Sequence, residues 1–518
     1  MSRDLLIGID AGTSVIKAVA FNLAGRQVGI ASTRNSYDTL PGGGVEQDMD
    51  ATWTRTAGVL RDLAAVVEGL AERVLALAVT AQGDGTWLVD ADGRPVHKGW
   101  LWLDARTAAP AESLAASPAM AAVYNATGTG LNACQMRTHL VWMKTHAPAL
   151  LQTAATAFHC KDWLYLQLTG VRATDPTEGA GIFGDFRTRA YSDAVFAALD
   201  LEDVQGLLPP IVDGAAEAHP LTAQAAAATG LPAGLPVCLG QLDVMCTAMG
   251  AGMFDRKTAP GVTILGSTGM HMRFVPDAGA VALNAGQSGY TMPFPGTAFA
   301  QRQTNMAATL NIDWVLGLAQ EILAANGVAR SAGDLFDGLD ARVLAARPGA
   351  ALYHPYISVA GERGPFVEPR ARASLTGLDQ TVGWFDIVRS VYDGLVLAAR
   401  DCYAAMGPVP SEIRIAGGAA QSGALRKLLA AGLGSPVRTV TQGEAGAAGA
   451  CMMAAVQQGL FRDIDAATEA WILPLLGPVE APDPALAPLY DALFDAYRAT
   501  RTALPPIWQA QTALRGTA

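Results

Sequence analysis

The residues best suited to chemistry near the start of the chain lie in segment 6–21, where an apolar run ends at Asp10 and a second begins after a small polar turn. This pattern predicts a β-hairpin with strands over 5–9 and 16–22 and a turn at Gly12-Thr13-Ser14. Such a turn lets backbone N–H groups approach phosphate oxygens, and the two hydroxyls add donors. Asp10 suits a phosphate-bound Mg²⁺, because that cation prefers carboxylate and water ligands. An ordinary polar hairpin is the alternative for this segment alone.

The second half of the chain contains a similar pattern. An apolar run over 263–265 is followed by Gly266-Ser267-Thr268-Gly269 and another apolar run. A third predicted strand, over 413–416, ends at Gly417-Gly418 before a predicted helix Gly423–Leu433. A glycine pair lets the backbone lie flat against an adenine or ribose, where a Cβ would collide. These turns predict a nucleotide held between two halves of the molecule.

Asp243 lies between the two turns, in the polar cluster Gln241-Leu242-Asp243 after a short apolar strand predicted at 237–240. Phosphoryl transfer needs charge stabilisation, in-line positioning and a base beside the acceptor hydroxyl. Asp243 suits the last role, because it follows a buried strand at the junction of the halves. The alternative is a helix cap for the following residues, since Asp caps helices well, and one side chain can do both.

Composition limits the classes of function. With 518 residues, 51% of them hydrophobic and 16% charged, the chain can build two cores of roughly 250 residues each. We expect domains over 1–250 and 251–518, with the boundary near 250–256. The net charge of −11 argues against a general nucleic-acid binder. Six scattered cysteines without a CxxC pair favour a reducing cytoplasm, and the lack of a long uncharged apolar run argues against a membrane span.

Apolar runs of strand and helix type alternate along the chain, which predicts an α/β fold. The predicted elements outside the turns are a helix over 53–75, a strand over 74–80, a helix over 135–144, Ala-rich helices over 223–228 and 445–450, and a short final helix with a frayed end after 502.

Together these segments resemble the FGGY carbohydrate kinases over nearly the full length of the chain. The matching motifs occur in order: Ile9-Asp10-Ala11-Gly12-Thr13-Ser14; Gly44-Val45-Glu46-Gln47-Asp48; Trp102-Leu103-Asp104-Ala105-Arg106; Lys161-Asp162-Trp163-Leu164 with Leu168-Thr169-Gly170; Asp243 before Gly250; Gly266-Ser267-Thr268-Gly269; Gly361-Glu362-Arg363 with Ala371-Arg372; Gly417-Gly418; and Glu444-Ala445-Gly446-Ala447-Ala448-Gly449-Ala450. Each motif alone is weak, but their order is specific.

The resemblance implies two actin-like, ribonuclease-H-like ATPase domains of the hexokinase type, with a catalytic cleft between them. It also implies transfer of phosphate from MgATP to a terminal hydroxyl of a small sugar or polyol. The implied roles are metal binding by Asp10; ATP binding by Gly12, Thr13, Ser14 and Lys17, by Gly266, Ser267, Thr268 and Gly269, and by Gly417, Gly418 and Ser422; and general base catalysis by Asp243.

The substrate is expected near segment 79–86, where this family places acceptor-binding side chains. Glycerol kinases resemble Gln-Arg-Glu-Thr here and xylulokinases Met-His-Gly, whereas this chain has Gln82, Gly83 and Asp84. A polar pair of this kind suits a run of hydroxyls, and the surrounding sequence is most similar to erythritol kinases. L-xylulose, D-xylulose or ribulose kinases, and then glycerol kinases, remain alternatives. Gln135, Gln241 and Asp243 complete the predicted acceptor site, while a plain turn is the alternative for segment 82–84.

Several other residues have simpler interpretations. Trp87 and Trp102 are expected to be packing residues, His271 a core histidine, and Arg363 a brace for its loop. A chaperone-like ATPase would need no acceptor base and is the alternative in a different class; an actin-type scaffold has no support in the sequence. We expect no nucleic-acid or membrane partner, a possible homodimer, and a hinge for domain closure near 250–252.

Overall fold

A computed structural model describes residues 3–515 of the chain. The strands before residue 250 are β1 (Leu5–Ala11), β2 (Val15–Asn22), β3 (Gln27–Arg34), β4 (Asp38–Thr39), β5 (Val45–Gln47), β6 (Val74–Ala81), β7 (Trp87–Val89), β8 (Gly99–Trp100), β9 (Thr156–Phe158), β10 (Gly184–Asp185), β11 (Ala190–Tyr191), β12 (His219–Pro220) and β13 (Pro236–Leu239). Those after it are β14 (Gly261–Leu265), β15 (Gly269–Val275), β16 (Tyr290–Pro293), β17 (Phe299–Asn305), β18 (Leu352–His354), β19 (Ser374–Thr376), β20 (Ile413–Ala416), β21 (Val437–Val440) and β22 (Leu476–Glu480).

The helices alternate with these strands. They are α1 (Met49–Val66), α2 (Leu70–Arg73), α3 (Ala108–Ala115), α4 (Ala119–Thr127), α5 (Met136–His146), α6 (Pro148–Thr153), α7 (Cys160–Thr169), α8 (Gly179–Phe183), α9 (Asp193–Leu199), α10 (Ala223–Thr229), α11 (Asp243–Gly250), α12 (Thr309–Ala325), α13 (Ala332–Phe336), α14 (Leu339–Ala345), α15 (Trp384–Ala404), α16 (Gly423–Leu433), α17 (Ala445–Gln457), α18 (Ile464–Trp471), α19 (Ala487–Ala503) and α20 (Pro505–Arg515). Among the helices of residues 3–515, none combines the length and the apolar character needed to cross a membrane.

The two large sheets share one topological core. The first has the order β12-β13-β6-β1-β2-β3, in which β1, β2 and β3 are antiparallel and β6 and β13 run parallel to β1. The second has the order β16-β17-β15-β14-β20-β21-β22, in which β14, β15 and β17 are antiparallel and β20 and β21 run parallel to β14. The similarity of the two turns in the sequence therefore reflects a repeated fold. The predicted limit at residue 250 lies between the last strand of the first sheet and the first strand of the second.

Burial explains why the central strands form. The apolar side chains of β1 and β6 are buried on both faces of the first sheet, as expected for strands covered on each side by other elements. At the edge of the sheet, β3 instead alternates exposed and half-buried residues. Both predicted hairpins are confirmed, because β1 pairs with β2 and β14 with β15 around the expected turns.

Helices α11 and α17 join the two halves by close packing. A Cβ at Gly449 would lie 1.9 Å from the Cys246 carbonyl oxygen, and one at Gly250 would lie 2.0 Å from the Ala445 carbonyl oxygen. On another side, α17 packs against β1, where a Cβ at Gly8 would meet the Ala447 carbonyl oxygen at 2.4 Å. The Ala-rich segment after residue 444 is thus a helix that approaches a sheet closely, as predicted, and it reaches the sheet of the other half.

One predicted element is wrong in extent. The helix expected over 53–75 is two helices, α1 and α2, because Gly69 adopts the left-handed conformation with a φ of +65° and the chain turns there before β6. The helices predicted over 423–433 and 223–228 are confirmed as α16 and α10. The helix predicted over 445–450 is confirmed as α17, which continues to Gln457. The six cysteines are buried and free of disulfides. A final helix after residue 502 is present as α20, and the end beyond 515 lies outside the described residues.

Candidate active site

A cavity of about 240 Å³ lies between the two halves and is lined by six of the predicted site residues, namely Thr13, Gln82, Gly83, Asp84, Asp243 and Thr268. Its lining residues are Thr13, Gln82, Gly83, Asp84, Trp102, Asn132, Leu242, Asp243, Val244, Thr268, Met270, Gly289, Tyr290, Arg302, Thr304, Met306 and Arg363. Both turns therefore reach the cavity that contains Asp243. A larger cavity of about 600 Å³ lies elsewhere, beside linker residues 254–257, and includes none of these side chains.

The first turn is held by side chains of the first half. The Thr13 hydroxyl donates to Gln82 Oε1 at 2.7 Å and accepts from Trp102 Nε1 at 2.8 Å. The Gln82 amide in turn donates to Gln47 Oε1 at 2.6 Å. Because these bonds occupy Thr13 and fix Gln82, both side chains enter the cavity in defined orientations. Ser14 is exposed at the tip of the turn.

The second turn is fixed by the start of α12. The Gly266 carbonyl oxygen accepts from the Thr309 backbone N–H at 3.0 Å and from its hydroxyl at 2.8 Å. The Ser267 carbonyl oxygen accepts from Ala308 N–H at 2.7 Å. With its carbonyl groups bound behind the turn, Thr268 lines the cavity and Ser267 remains exposed at the tip.

Asp243 begins α11 at the floor of the cavity. One carboxylate oxygen accepts from the Val244 backbone N–H at 2.6 Å, so the side chain also bonds the first turn of its helix. Burial, together with the negative charge of Asp10, raises the pKa of Asp243 to about 7, although the Val244 N–H and the positive charge of Arg302 act in the opposite direction. A carboxylate with this pKa takes up a proton far more readily at neutral pH than an exposed Asp does.

Asp10 lies at the end of β1, half-buried, against the N-terminus of α17. A Cβ at Gly446 would come within 2.5 Å of Asp10 Oδ2, so only glycine fits beside this carboxylate. The pKa of Asp10 is raised to about 6, mainly by burial; the positive charge of Lys17 acts against this shift and the negative charge of Glu444 adds to it. Lys17 itself forms an ion pair with Glu444 at 2.8 Å, which links β2 to the residue before α17. Carboxylate oxygens in such a site are the donors that Mg²⁺ prefers.

Asp84 lines the cavity from a loop in which its own backbone is left-handed. Its φ of +50° is unusual for a residue other than glycine, and its backbone N–H donates to Glu178 Oε1 at 2.9 Å. Tyr290, from the opposite half, donates its hydroxyl to Asp84 Oδ2 at 2.9 Å. The neighbouring Gly83 has no room for a side chain, because a Cβ would lie 1.7 Å from Leu242 Cδ1. Close packing against Leu242 therefore explains why Gly83, and not Arg or His, occupies this position.

A buried ionic cluster supports that loop from below. The Lys161 ammonium group contacts Asp162 at 2.7 Å, Asp175 at 2.8 Å and Glu178 at 2.9 Å. Burial lowers the pKa of Lys161, but its three carboxylate neighbours together raise it well above the ordinary value. The lysine thus supplies the positive charge that this carboxylate cluster requires, and Glu178 is held where it can fix the Asp84 backbone.

Twelve predicted site residues do not line this cavity: Asp10, Gly12, Ser14, Lys17, Gln135, Gln241, Gly266, Ser267, Gly269, Gly417, Gly418 and Ser422. Three of them, Gln135, Gln241 and Ser422, have side chains that are hydrogen-bonded elsewhere. The Gln135 amide is used within its own loop, where Oε1 accepts from Asn132 N–H at 3.1 Å and Nε2 donates to the Gly130 carbonyl oxygen at 3.0 Å. The Gln241 side chain is buried and donates to the Pro293 carbonyl oxygen at 2.9 Å. The Ser422 hydroxyl caps α16 by accepting from Leu425 N–H at 3.1 Å, and it donates to Asp340 at 2.7 Å.

Gly417 follows β20 in the second half of the chain and lines a different cavity. Its φ is +88°, and a Cβ would lie 2.5 Å from the Leu265 carbonyl oxygen, so the close approach of β14 requires glycine here. Gly417 lines a cavity of about 590 Å³ with residues of β21 and the loop after it. Gly418 has open space around it and Gly269 is buried at the start of β15.

Sequence reasoning missed several cavity residues. Trp102, expected to be a packing residue, lines the cavity, and Arg363, expected to brace a loop, lines it too, with Nη1 donating to Cys134 Sγ at 3.7 Å. Asn132, Tyr290 and Arg302 complete the wall and had no local motif that could have identified them. His271, in contrast, is buried as predicted, with Nε2 3.1 Å from Asn305 Oδ1.

Known proteins match this chain along its whole length. Residues 5–250 match the N-terminal domain, and residues 261–458 the C-terminal domain, of the FGGY family of carbohydrate kinases. The chain is 54% identical to an erythritol kinase of Brucella abortus (strain 2308), over 98% of this chain and 97% of that protein.

More distant relatives share the architecture. The chain is 28% identical to a xylulose kinase of Escherichia coli (strain K12), over 87% of this chain and 90% of that protein. The crystal structure of a xylulose kinase from Rhodospirillum rubrum superposes with a TM-score of 0.86 at 25% identity, covering 98% of this chain and all of that one. The turns, the shared cavity and these matches lead to one conclusion: the chain belongs to the FGGY family of carbohydrate kinases.

Proposed function

We propose that this enzyme transfers the γ-phosphoryl group of ATP to a terminal hydroxyl of erythritol. The observation that carries the reaction is the cavity where the turns containing Thr13 and Thr268 meet at Asp243, because the backbone N–H groups of these turns offer donors to phosphate oxygens from both halves, with a base between them. The Thr13 hydroxyl proton itself is donated to Gln82 Oε1. The identity of the acceptor rests on the 54% identity to the Brucella erythritol kinase. A cavity rich in hydroxyl, amide and carboxylate groups fits an acceptor with a hydroxyl on every carbon.

The two turns would hold the phosphates. Thr13 and Thr268 face the cavity from opposite halves, and the exposed tips at Ser14 and Ser267 leave backbone groups available to phosphate oxygens. The nucleoside would extend towards Gly417 and the cavity of about 590 Å³ beside it. In this arrangement Lys17 acts through its ion pair with Glu444 and positions the start of α17 beside the phosphates.

Asp10 would hold a Mg²⁺ ion, directly or through water. The site fits that ion, because Asp10 and Glu444 concentrate negative charge there and the pKa of Asp10 is raised by its burial and by that neighbouring charge. When bound, the ion would neutralise charge on the phosphate oxygens. Gly446 leaves the space beside Asp10 free of a side chain.

Asp243 would orient the acceptor hydroxyl and accept its proton. In a loose transition state the proton leaves late, so a correctly placed hydrogen-bond acceptor is more important than a strong base. The Val244 N–H holds one carboxylate oxygen, which leaves the other for the substrate. Asp84 and Gln82, fixed by Tyr290 and Thr13, would bind the remaining hydroxyls.

The test is ADP release coupled to a panel of acceptors: erythritol, glycerol, D-xylulose, L-xylulose and ribulose, with the product identified by NMR. We expect erythritol to give the highest kcat/KM and negligible ATP hydrolysis without an acceptor. A higher kcat/KM for a ketopentose or glycerol would reject erythritol as the substrate. Equal turnover without any acceptor would reject the kinase reaction itself. A homodimer, expected from the sequence, remains a proposal that sedimentation analysis tests.

A further inference from the structure

Arg302 has an unusual environment for a buried cation. It lies on β17, in the second half, and is only 8% exposed. Its guanidinium lies 4.1 Å from the centre of the Tyr290 ring and lines the cavity. Its Nε has no hydrogen-bond partner within residues 3–515, and no side-chain or backbone acceptor of that region receives a bond from its guanidinium.

An arrangement of this kind is costly without a ligand. A guanidinium carries five N–H donors and no acceptor, and the buried Nε–H, left unpaired, lowers the stability of the unliganded protein. The contact with the Tyr290 ring stabilises the charge but satisfies none of the in-plane donors. Other buried arginines of the chain are bonded: Arg414, for example, donates to Asp255 at 2.7 Å and to Glu412 at 3.0 Å. Arg302 therefore has donors available for an oxygen atom that enters the cavity.

The charges of the cavity lining indicate which kind of ligand oxygen accepts the hydrogen bonds of Arg302. The charged lining residues are two acids, Asp84 and Asp243, and two bases, Arg302 and Arg363. With the ATP phosphates held at the turns of Thr13 and Thr268, a neutral acceptor leaves this balance unchanged, whereas a carboxylate on the acceptor would add a further negative charge to a partly buried site. The ligand oxygen that fits is a hydroxyl.

We propose that Arg302 is a specificity-determining residue that donates hydrogen bonds to a hydroxyl oxygen of the acceptor, opposite the accepting carboxylate of Asp84. Arg302 supplies donors from the second half and Asp84 supplies an acceptor from the first, with Tyr290 bonded to the carboxylate and stacked under the guanidinium. A polyol hydroxyl both donates and accepts, so it bridges the two residues. This inference rests on the proposed polyol kinase activity and assigns one of its binding contacts to the second half.

Two consequences follow. The acceptor is selected by the presence of one particular hydroxyl, because an analogue that lacks it leaves the Arg302 donors unpaired. Acceptor binding also connects the two halves, because the hydroxyl touches a residue of each. A four-carbon aldonate should be a poor substrate, since its carboxylate disturbs the charge balance of the cavity.

The experiment compares Arg302→Met with wild type on erythritol and on the deoxy analogues of erythritol, each lacking one hydroxyl. For erythritol we expect Arg302→Met to lower kcat/KM roughly 10- to 100-fold, mainly through KM, with the Kd for ATP unchanged. For one analogue, the penalty seen in wild type should largely disappear in Arg302→Met, because the deleted hydroxyl and the deleted guanidinium are partners. Arg330→Met, an exposed arginine far from the cavity, is the matched control.

The outcomes separate the possible failures. If kcat/KM of Arg302→Met on erythritol stays within twofold of wild type, or if every analogue keeps its full penalty in the variant, the inference is wrong. Preferential use of the aldonate by wild type would also overturn it. If Arg302→Met does not fold, as judged by circular dichroism, Arg302→Lys gives the same comparison with the charge retained. If wild type ignores erythritol but uses another polyol, the proposed substrate fails, and the same comparison is made with that polyol and its deoxy analogues.

Discussion

Replacing Asp243 with Asn should lower activity and raise stability at the same time. The pKa of Asp243 is raised from 3.8 to about 7, mainly by burial and then by the charge of Asp10, so the folded protein favours the neutral form of this side chain. An acid with a raised pKa in the folded state makes folding less favourable as pH rises from the unfolded value towards the folded one. Asn is always neutral, so its presence does not make folding less favourable as the pH rises.

The magnitude follows from the shift. About three pKa units correspond to about 4 kcal/mol at 1.36 kcal/mol per unit. Because Asp243 is half-buried and lines an accessible cavity, solvent screening reduces this to roughly 2 kcal/mol. We expect that gain in the free energy of unfolding at pH 8, a smaller gain at pH 6 and almost none at pH 4. For kcat we expect a loss of about 10²- to 10⁴-fold, the usual contribution of a general base, with the Kd for ATP unchanged.

The assay is urea unfolding at the three pH values, together with coupled ADP release on erythritol. Asp62→Asn, an exposed position on α1, is the matched control and should change neither quantity by much. A near-normal kcat would refute the role of Asp243 as the base. An unfolding free energy that is unchanged at pH 8 would refute the electrostatic argument, even if activity is lost.

Three further predictions concern pH, metal and packing. The kcat/KM for the acceptor should fall as pH drops below about 7, because Asp243 becomes protonated, and a flat profile down to pH 5.5 would count against the base. Asp10→Asn should raise the Mg²⁺ concentration needed for half-maximal turnover, which a magnesium titration measures; an unchanged requirement would remove Asp10 from the metal site. Gly449→Ala should destabilise the protein by about 1–3 kcal/mol, because its Cβ would overlap the Cys246 carbonyl oxygen. Gly317→Ala, in a helix with open space around it, should instead stabilise the protein by up to about 1 kcal/mol; urea unfolding measures both variants.

Local sequence patterns predicted much of the fold and some of the residues that line the cavity. The two hairpin turns were predictable, because each combines an apolar strand with a glycine-hydroxyl turn within a few residues. The end of α1 was not, because the helical periodicity of 53–75 continues past Val66, whereas the chain leaves the helix at Val67 and Gly69 is left-handed. Local periodicity does not contain that information.

The cavity between the halves shows the same limit more strongly. Gln82 and Asp84, which line it, were predicted as site residues because they follow a predicted strand in a polar segment. Tyr290 and Arg302 come from strands β16 and β17 of the other half, so their approach to Asp84 depends on how the halves pack. Gln135 shows the opposite case, because its amide is bonded to neighbouring backbone groups that the sequence does not identify as its partners.

Helix α17 explains how the carboxylates of Asp10 and Asp243, the proposed metal ligand and base, keep a fixed geometry. The helix belongs to the second half of the chain, yet it packs against β1, which ends in Asp10, and against α11, which begins with Asp243. Glycine at 446 and 449 lets it approach both elements closely. The elements that carry Asp10 and Asp243 therefore both pack against the same helix, which fixes their relative positions. Thr268 and Arg302 come from the second sheet, so a movement of that sheet would carry them towards a pair of carboxylates that is already in place.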